Sequence, residues 1–226
     1  MSKPYIICHM MTSLDGRIDC AMTSKLKGVE DYYYSLDELD VPTTLSGRMT
    51  AEFEMALPGK FESETKTPVN KFTFSKKFDA EGYEVVVDTK GTLLWEEQID
   101  CDKPLLIITS EEVSEEYLSY LDGKNISYIA VGKGKIDLEK ACEVLNTEFG
   151  VERMGIVGGP KINTAFLEAG LLDEISILLG VGIDGRAGMP TVFDGLAMDH
   201  DVTPLSLIDV TKFDSGALWI RYKTNN

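Results

Sequence analysis

The chain has 226 residues, of which 43% are hydrophobic, and its formal net charge at pH 7 is −16. This length predicts one domain, with room for an elaborated loop. The acidity disfavours a nucleic-acid-binding protein, because neutralising phosphates requires clustered lysine and arginine side chains. The sequence shows neither a signal peptide nor an apolar stretch of about 18 residues, so we expect a cytoplasmic protein that does not associate with membranes.

The four cysteines are widely spaced and form no CxxC pair, which predicts reduced packing residues rather than a zinc site or a disulfide framework. The two histidines are no better suited to metal binding or catalysis. His9 lies within an apolar run and is expected to be a satisfied core residue, and His200 is expected in a surface loop. Without a Ser-His or Cys-His arrangement, a hydrolase has little support.

The first part of the chain predicts a buried strand at residues 4–11, followed by the polar turn Thr12-Ser-Leu-Asp-Gly16. Ligands gather at the carboxyl ends of strands in open α/β sheets, although Ser, Asp and Gly also favour plain turns. Residues 31–39 predict an acidic helix containing three consecutive tyrosines, which either line a pocket or pack on the sheet.

The next segment predicts a second strand and turn at residues 41–50, then a helix over residues 51–57 that ends before Pro58 and Gly59. Thr50 is placed to cap that helix, and Arg48 to meet an anion. Residues 58–82 are polar and show no clear period, so they predict a mobile flap or insertion.

Strands and helices alternate regularly from residue 83 onward, which predicts a parallel sheet. Ser110 is expected to cap a helix that ends at Gly123, and Asp137 to cap the next one. The chain closes with a predicted antiparallel hairpin of residues 206–212 and 217–223. The whole pattern amounts to eight or nine strands and four or five helices. The further strands are expected at residues 83–88, 104–110, 126–131, 151–157 and 175–181.

A glycine turn, Gly158-Gly-Pro160, stands between a predicted strand and a predicted helix. It is not the GxGxxG fingerprint of dinucleotide-binding proteins, and it either turns the chain or exposes backbone N–H groups to an anion. Lys161 follows in the first helical turn, where a cation is mildly unfavourable and therefore suggests an anionic partner.

Six short motifs occur in an order that resembles the reductase domain of bifunctional riboflavin-biosynthesis proteins, over residues 4 to 222. They are Thr12-Ser-Leu-Asp-Gly-Arg17, Ser46-Gly-Arg-Met-Thr50, Val86-Val-Asp-Thr89, Val131-Gly-Lys-Gly-Lys-Ile-Asp-Leu138, Val157-Gly-Gly-Pro160 and Gly170-Leu-Leu-Asp-Glu174. The resemblance implies a dihydrofolate-reductase-like, three-layer α/β/α fold with a mixed, mostly parallel sheet and a C-terminal antiparallel hairpin. It also implies a stand-alone, NADPH-dependent reductase that acts as a homodimer on a small pyrimidine-like or carbonyl substrate, without a metal.

The resemblance also implies roles for individual residues. Ser13 and Asp15 correspond to catalytic positions that border the nicotinamide and the substrate. The positions that correspond to cofactor-binding residues are Thr12, Thr50, Glu54, Thr89, Gly158, Gly159, Pro160, Lys161, Ile162 and Asn163. Lys76, Lys77, Lys133 and Lys135 are candidates for binding the 2′-phosphate of NADPH.

Three departures from the family pattern concern the substrate half of the site. Val157 stands where the family usually has a glutamate before the glycines, and the helix before the second strand lacks the usual arginine. The tryptophan segment after the first turn is replaced by Tyr32, Tyr33 and Tyr34. The alternative function is therefore a non-catalytic nucleotide-binding or regulatory dimer on the same fold.

Overall fold

The computed structural model describes residues 2–225, which contain ten strands and six helices. The strands are β1 (Tyr5–Thr12), β2 (Thr43–Gly47), β3 (Thr73–Ser75), β4 (Glu84–Val87), β5 (Leu105–Thr109), β6 (Ser127–Ala130), β7 (Arg153–Gly158), β8 (Glu174–Leu179), β9 (Leu205–Lys212) and β10 (Leu218–Thr224). The helices are α1 (Cys20–Thr23), α2 (Val29–Glu38), α3 (Arg48–Glu54), α4 (Glu115–Gly123), α5 (Leu138–Thr147) and α6 (Pro160–Glu168). Across residues 2–225, no helix has the length and apolar character needed to cross a membrane.

The chain divides into two compact units. The first unit comprises residues 2–4 and 42–154, and its strands follow the order β3-β6-β5-β4-β2. The pairs β2–β4, β4–β5 and β5–β6 are parallel, whereas β3 pairs antiparallel with β6 at the edge. All five residues of β5 are buried, which is typical of a parallel strand covered on both faces. Aromatic residues of the α4 region, such as Tyr117, pack with Trp95 in the core of this unit.

The second unit comprises residues 5–41 and 155–225, with the strand order β7-β1-β8-β10-β9. Strands β1 and β8 are parallel, and β10 runs antiparallel to both β8 and β9. Its core joins Ile7 and Met11 of β1 to Leu178 and Trp219. The mostly parallel sheet and the C-terminal antiparallel hairpin are thus both confirmed.

Two predicted helix starts differ from the structure. Helix α3 begins at Arg48 after the cap residue Gly47, so Thr50 lies inside the helix rather than at its cap. Helix α4 is capped by Ser114, whose hydroxyl accepts from the N–H of Tyr117, and not by Ser110. The cause at α4 is a tight turn, in which the N–H of Val113 donates to the carbonyl of Ser110 and delays the helix. The predicted cap of α5 is confirmed, because Asp137 accepts from the N–H of Lys140.

The segment 58–82 contains the short strand β3, which the sequence pattern did not predict. Glu116 of α4 accepts hydrogen bonds from the hydroxyl of Ser63 and from the N–H groups of Glu64 and Thr65. The hydrogen bond from Ser63 is the largest of the contributions that lower the pKa of Glu116 to about 2. The mobility of this segment stays a prediction.

Candidate functional site

The glycine turn after β7 has an unusual backbone. Gly158 has a φ of 154°, a conformation that favours glycine, whereas Gly159 is extended with a φ of −113°. The peptide bond between them is cis. Pro160 lies in the first turn of α6. Among residues 2–225, no side chain caps this helix N-terminus, and the first turn contains no acidic residue. An uncapped helix N-terminus without negative charge is a favourable place for an anion.

Asn163 lies in the N-terminal half of α6 and is completely buried. Its amide nitrogen donates to the carbonyl oxygen of Val192 at 2.8 Å, and Thr164 donates to the carbonyl of Asp194 at 3.0 Å. These two bonds fasten the loop at residues 191–194 to the helix. Within residues 2–225, the amide oxygen of Asn163 has no hydrogen-bond partner. A buried acceptor of this kind calls for a donor, such as a ligand N–H or O–H group or a water molecule.

Thr12 ends β1 and Ser13 begins the turn that follows; both residues are buried. The hydroxyl of Ser13 donates to the carboxylate of Asp15 at 2.7 Å and accepts from the N–H of Arg17 at 3.1 Å. The carbonyl oxygen of Thr12 accepts from the N–H of Gly180 at 2.8 Å. The side chain of Ser13 therefore stabilises the turn itself.

Asp15 reaches from this turn to a distant loop. Its two carboxylate oxygens accept from the N–H groups of Asp184 and Gly185, each at 2.9 Å. Together with the hydrogen bond from Ser13, these two bonds hold the pKa of Asp15 well below its usual range. The bond from the N–H of Gly185 has the largest effect on this pKa. Asp15 is therefore ionised at neutral pH. The catalytic roles of Ser13 and Asp15 stay predictions.

A cleft of about 410 Å³ opens in the first unit beside the end of β4. Three of its lining residues are cationic, namely Arg48, Lys60 and Lys90, and Thr89 adds a hydroxyl group. Among residues 2–225, Asp88 is the one acidic residue that lines the cleft, and its buried carboxylate accepts from backbone N–H groups of the following turn. In a chain with a net charge of −16, such a cluster of cations is suited to a phosphate group.

Two other predicted cofactor residues lie on α3 in the same unit. Thr50 is half-buried, and Glu54 is the last residue of the helix. Partial desolvation, followed by the nearby negative charge of Glu84, raises the pKa of Glu54. Arg48, at the start of α3, forms an exposed ion pair with Glu52 at 2.7 Å.

Two of the lysines proposed for the 2′-phosphate are engaged elsewhere. Lys76 pairs with Asp79, and Lys77 pairs with Asp122, each at 2.5 Å. Lys60 and Lys90 also line the cleft, although the sequence pattern did not predict them. A signal was present for Lys90, because it directly follows Thr89, the predicted cofactor residue at the end of a strand.

Several residues stand where the family usually has its contacts with the substrate. Val157 is half-buried near the end of β7. Helix α2 carries no basic residue, and its first turn contains Glu30 and Asp31. Tyr32 stacks on His9 with 4.6 Å between ring centroids, so it packs within its unit. Tyr33 and Tyr34 are exposed.

The predicted site residues are thus distributed over both units. Thr12, Ser13, Asp15 and the glycine turn belong to the second unit, whereas Thr50, Glu54 and Thr89 belong to the first. Of the predicted cofactor residues, Thr89 lines the cationic cleft, together with Arg48, which the sequence placed to meet an anion. In residues 2–225, no group of three or more His, Cys, Asp or Glu side chains is arranged to hold a metal ion.

Comparison with known families decides the relationship. The family model described as the RibD C-terminal domain matches residues 4–219. The chain belongs to the RibD C-terminal domain family. This confirms the resemblance predicted from the ordered motifs.

Curated relatives of this RibD C-terminal domain protein include two archaeal enzymes, each named 2,5-diamino-6-ribosylamino-4(3H)-pyrimidinone 5′-phosphate reductase. The one from Methanothermobacter thermautotrophicus is 26% identical over 88% of this chain and 87% of its own length. The one from Archaeoglobus fulgidus is 24% identical over 85% of this chain and 87% of its own length.

A solved structure supports the fold. A pyrimidine reductase-like protein from Corynebacterium diphtheriae superposes with a TM-score of 0.73 over 99% of this chain and 92% of its own, at 17% sequence identity. This likeness, together with the mixed sheet, confirms the predicted fold class.

Proposed function

We propose that this protein is an NADPH-dependent reductase that acts on 2,5-diamino-6-ribosylamino-4(3H)-pyrimidinone 5′-phosphate. The observation that carries the proposal is the match to two archaeal reductases of that name over 87% of their length. The reaction converts the ribosyl group of the substrate into a ribityl chain.

Two features, each within one unit, are suited to phosphate groups. In the first unit, Arg48, Lys60 and Lys90 supply the positive charge that a 2′-phosphate needs, which favours NADPH over NADH. In the second unit, the uncapped start of α6 and the exposed Lys161 are suited to a diphosphate. The unpartnered amide oxygen of Asn163 adds an acceptor for a donor group.

The bound cofactor supplies a hydride, and the protein supplies binding and orientation. The cations of the cleft neutralise phosphate charge, and the hydroxyl of Thr89 can donate to or accept from a sugar or phosphate oxygen. The backbone of Gly159 lets a phosphate approach closely, because no Cβ stands in the way. Positioning of this kind lowers a barrier by reducing the entropy lost when two reactants meet.

Two measurements test the proposal. Titration with NADPH and NADH, followed through the fluorescence of Trp95 and Trp219, should show tighter binding of NADPH. Oxidation of NADPH at 340 nm in the presence of the ribosylaminopyrimidine phosphate should then show turnover. Binding without turnover across pyrimidine, pterin and carbonyl compounds would instead favour the regulatory dimer, for which Val157 and the acidic helix α2 are the supporting observations. Absence of binding would contradict both functions.

The proposed assembly is a homodimer, and strand β9 supports it. This strand ends the strand order of its unit and exposes Leu205, Leu207, Ile208 and Val210. A β-bulge opposite Arg221 and Tyr222 shifts the register, so that Leu205, Leu207 and Val210 share one face of the hairpin. An exposed apolar edge strand is a template for pairing with another chain, and a second copy offers the same surface.

A further inference from the structure

The turn after β1 is fastened to the loop after β8 by hydrogen bonds that join residues 13–18 to residues 182–190, and we call this pair of segments the clasp. Three of its bonds go to main-chain carbonyl groups of the loop and lie at its two ends. They run from the N–H of Leu14 to the carbonyl of Gly182 (2.7 Å), from Nη1 of Arg17 to the carbonyl of Met189 (2.6 Å) and from the N–H of Ile18 to the carbonyl of Pro190 (3.2 Å).

The middle of the loop is held by Asp15. One carboxylate oxygen accepts from the hydroxyl of Ser13 and the N–H of Asp184, and the other accepts from the N–H of Gly185. The same carboxylate lies 3.9 Å from Nε of Arg17. Hydrogen bonds to an ionised carboxylate are among the strongest in proteins, so this group is the main anchor at the centre of the clasp.

The loop needs such an anchor because of its composition. Gly182, Gly185 and Gly188 give its backbone many accessible conformations, and the latter two have φ values of 66° and 74°. Its side chains add little packing, since Ile183 is 70% exposed. A further ion pair joins Arg186 of the loop to Asp19 at 2.6 Å, at an exposed position where such pairs contribute little.

We propose that Asp15 is a positioning residue that fixes the loop at residues 182–190 through the amides of Asp184 and Gly185, and that it takes no part in proton transfer. Both carboxylate oxygens are committed to donors within the clasp. To act as a base or an acid toward a substrate, the group would have to give up the bonds that order the loop. This inference rests on the proposed function, for which the family resemblance implies that Ser13 and Asp15 border the nicotinamide and the substrate.

Hydrogen exchange tests the anchoring directly in the full-length protein, with the variants Asp15→Ala and Asp15→Asn. In Asp15→Ala, the amides of Asp184 and Gly185 should both exchange at least about tenfold faster, the factor expected when a charge-assisted hydrogen bond is lost. In Asp15→Asn, the remaining oxygen should keep the amide of Asp184 protected while that of Gly185 exchanges faster.

Trypsin provides a second measure of the same event, because the loop contains the cleavable bond after Arg186. Cleavage there should accelerate in Asp15→Ala and stay unchanged in the control Asp199→Asn, which removes an exposed carboxylate of the same unit. Unchanged exchange at Asp184 and Gly185 in Asp15→Ala would overturn the proposal. This measurement needs no turnover, so it separates failure of this inference from failure of the proposed reaction.

Steady-state kinetics distinguish positioning from proton transfer. If Asp15 positions the loop, Asp15→Asn should lower kcat/KM less than Asp15→Ala does and should leave the shape of the pH profile unchanged. If Asp15 transfers a proton, the two variants should be equally impaired and one limb of the pH profile should disappear. The second result would overturn the assignment.

Discussion

Acidification should destabilise this protein through one buried histidine, His9. Its Nδ1 lies 2.9 Å from the hydroxyl of Ser176, which also accepts from the indole N–H of Trp219 at 2.7 Å. Its Nε2 lies 3.2 Å from the hydroxyl of Ser35, and its ring stacks on Tyr32. Burial, which outweighs all other effects, lowers the pKa of His9 to about 4. The folded state therefore stabilises the neutral form of the His9 ring relative to the protonated form.

The magnitude follows from linkage between protonation and folding. In the unfolded chain, the pKa of histidine is about 6.5, so the unfolded state binds a proton before the folded state does. The contribution of neutral His9 to the free energy of unfolding is therefore fully present above pH 6.5 and is lost as the pH falls toward 4. Between pH 7.5 and pH 5.0, these two pKa values correspond to a loss of roughly 2 kcal/mol in the free energy of unfolding.

Urea denaturation at pH 7.5 and pH 5.0 measures this loss in the wild type, His9→Gln and His200→Gln. The wild type and His200→Gln, which changes an exposed histidine, should lose roughly 2 kcal/mol more than His9→Gln does between the two pH values. Only the pH-dependent part is compared, so a lower stability of His9→Gln at both pH values does not affect the result. Equal losses in all three proteins would refute the role assigned to His9.

Three further predictions concern binding and assembly. Gly159→Val should weaken NADPH binding at least about tenfold in a fluorescence titration, because its Cβ occupies space needed by the diphosphate, while the extended backbone tolerates the side chain. Lys90→Ala should weaken NADPH binding about tenfold or more and leave NADH binding unchanged, since only NADPH carries the 2′-phosphate. The double variant Leu207→Lys and Val210→Lys should be monomeric in size-exclusion chromatography with light scattering, because buried lysines without partners are costly at an interface.

Each of these variants has a matched control. Gly123→Val places a side chain in open space and should keep NADPH affinity. Lys71→Ala removes an exposed lysine of the same unit and should leave the preference for NADPH unchanged. Ser206→Lys changes the opposite face of β9 and should keep the dimer. The first prediction would be contradicted if Gly159→Val left the affinity for NADPH unchanged. The second would be contradicted if Lys90→Ala weakened the binding of both cofactors equally, and the third if the double variant remained a dimer.

The sequence by itself determined most of the regular elements and the family, but not the short elements α1 and β3. The apolar run at residues 104–110 predicted β5, and the pattern after Asp137 predicted α5 together with its cap. Both predictions succeeded because the hydrophobic pattern and the capping residue involve neighbours only a few residues away. The ordered motifs gave the family, because each is a short contiguous stretch. The pattern placed the cap of α4 at Ser110, whereas the structure has it at Ser114, after a tight turn that the pattern did not reveal.

Tertiary structure decided the contacts between residues that are far apart in the chain. The short strand β3 is defined by its pairing with β6, and Lys60 and Lys90 line the same cleft only in the folded protein. Asp15 and Gly185 are separated by 170 positions, so no local pattern could reveal that the loop amides bind this carboxylate. The motif identified Asp15 as a residue of interest, but the ordering of a distant loop is a role that exists only once folding has brought the two segments together.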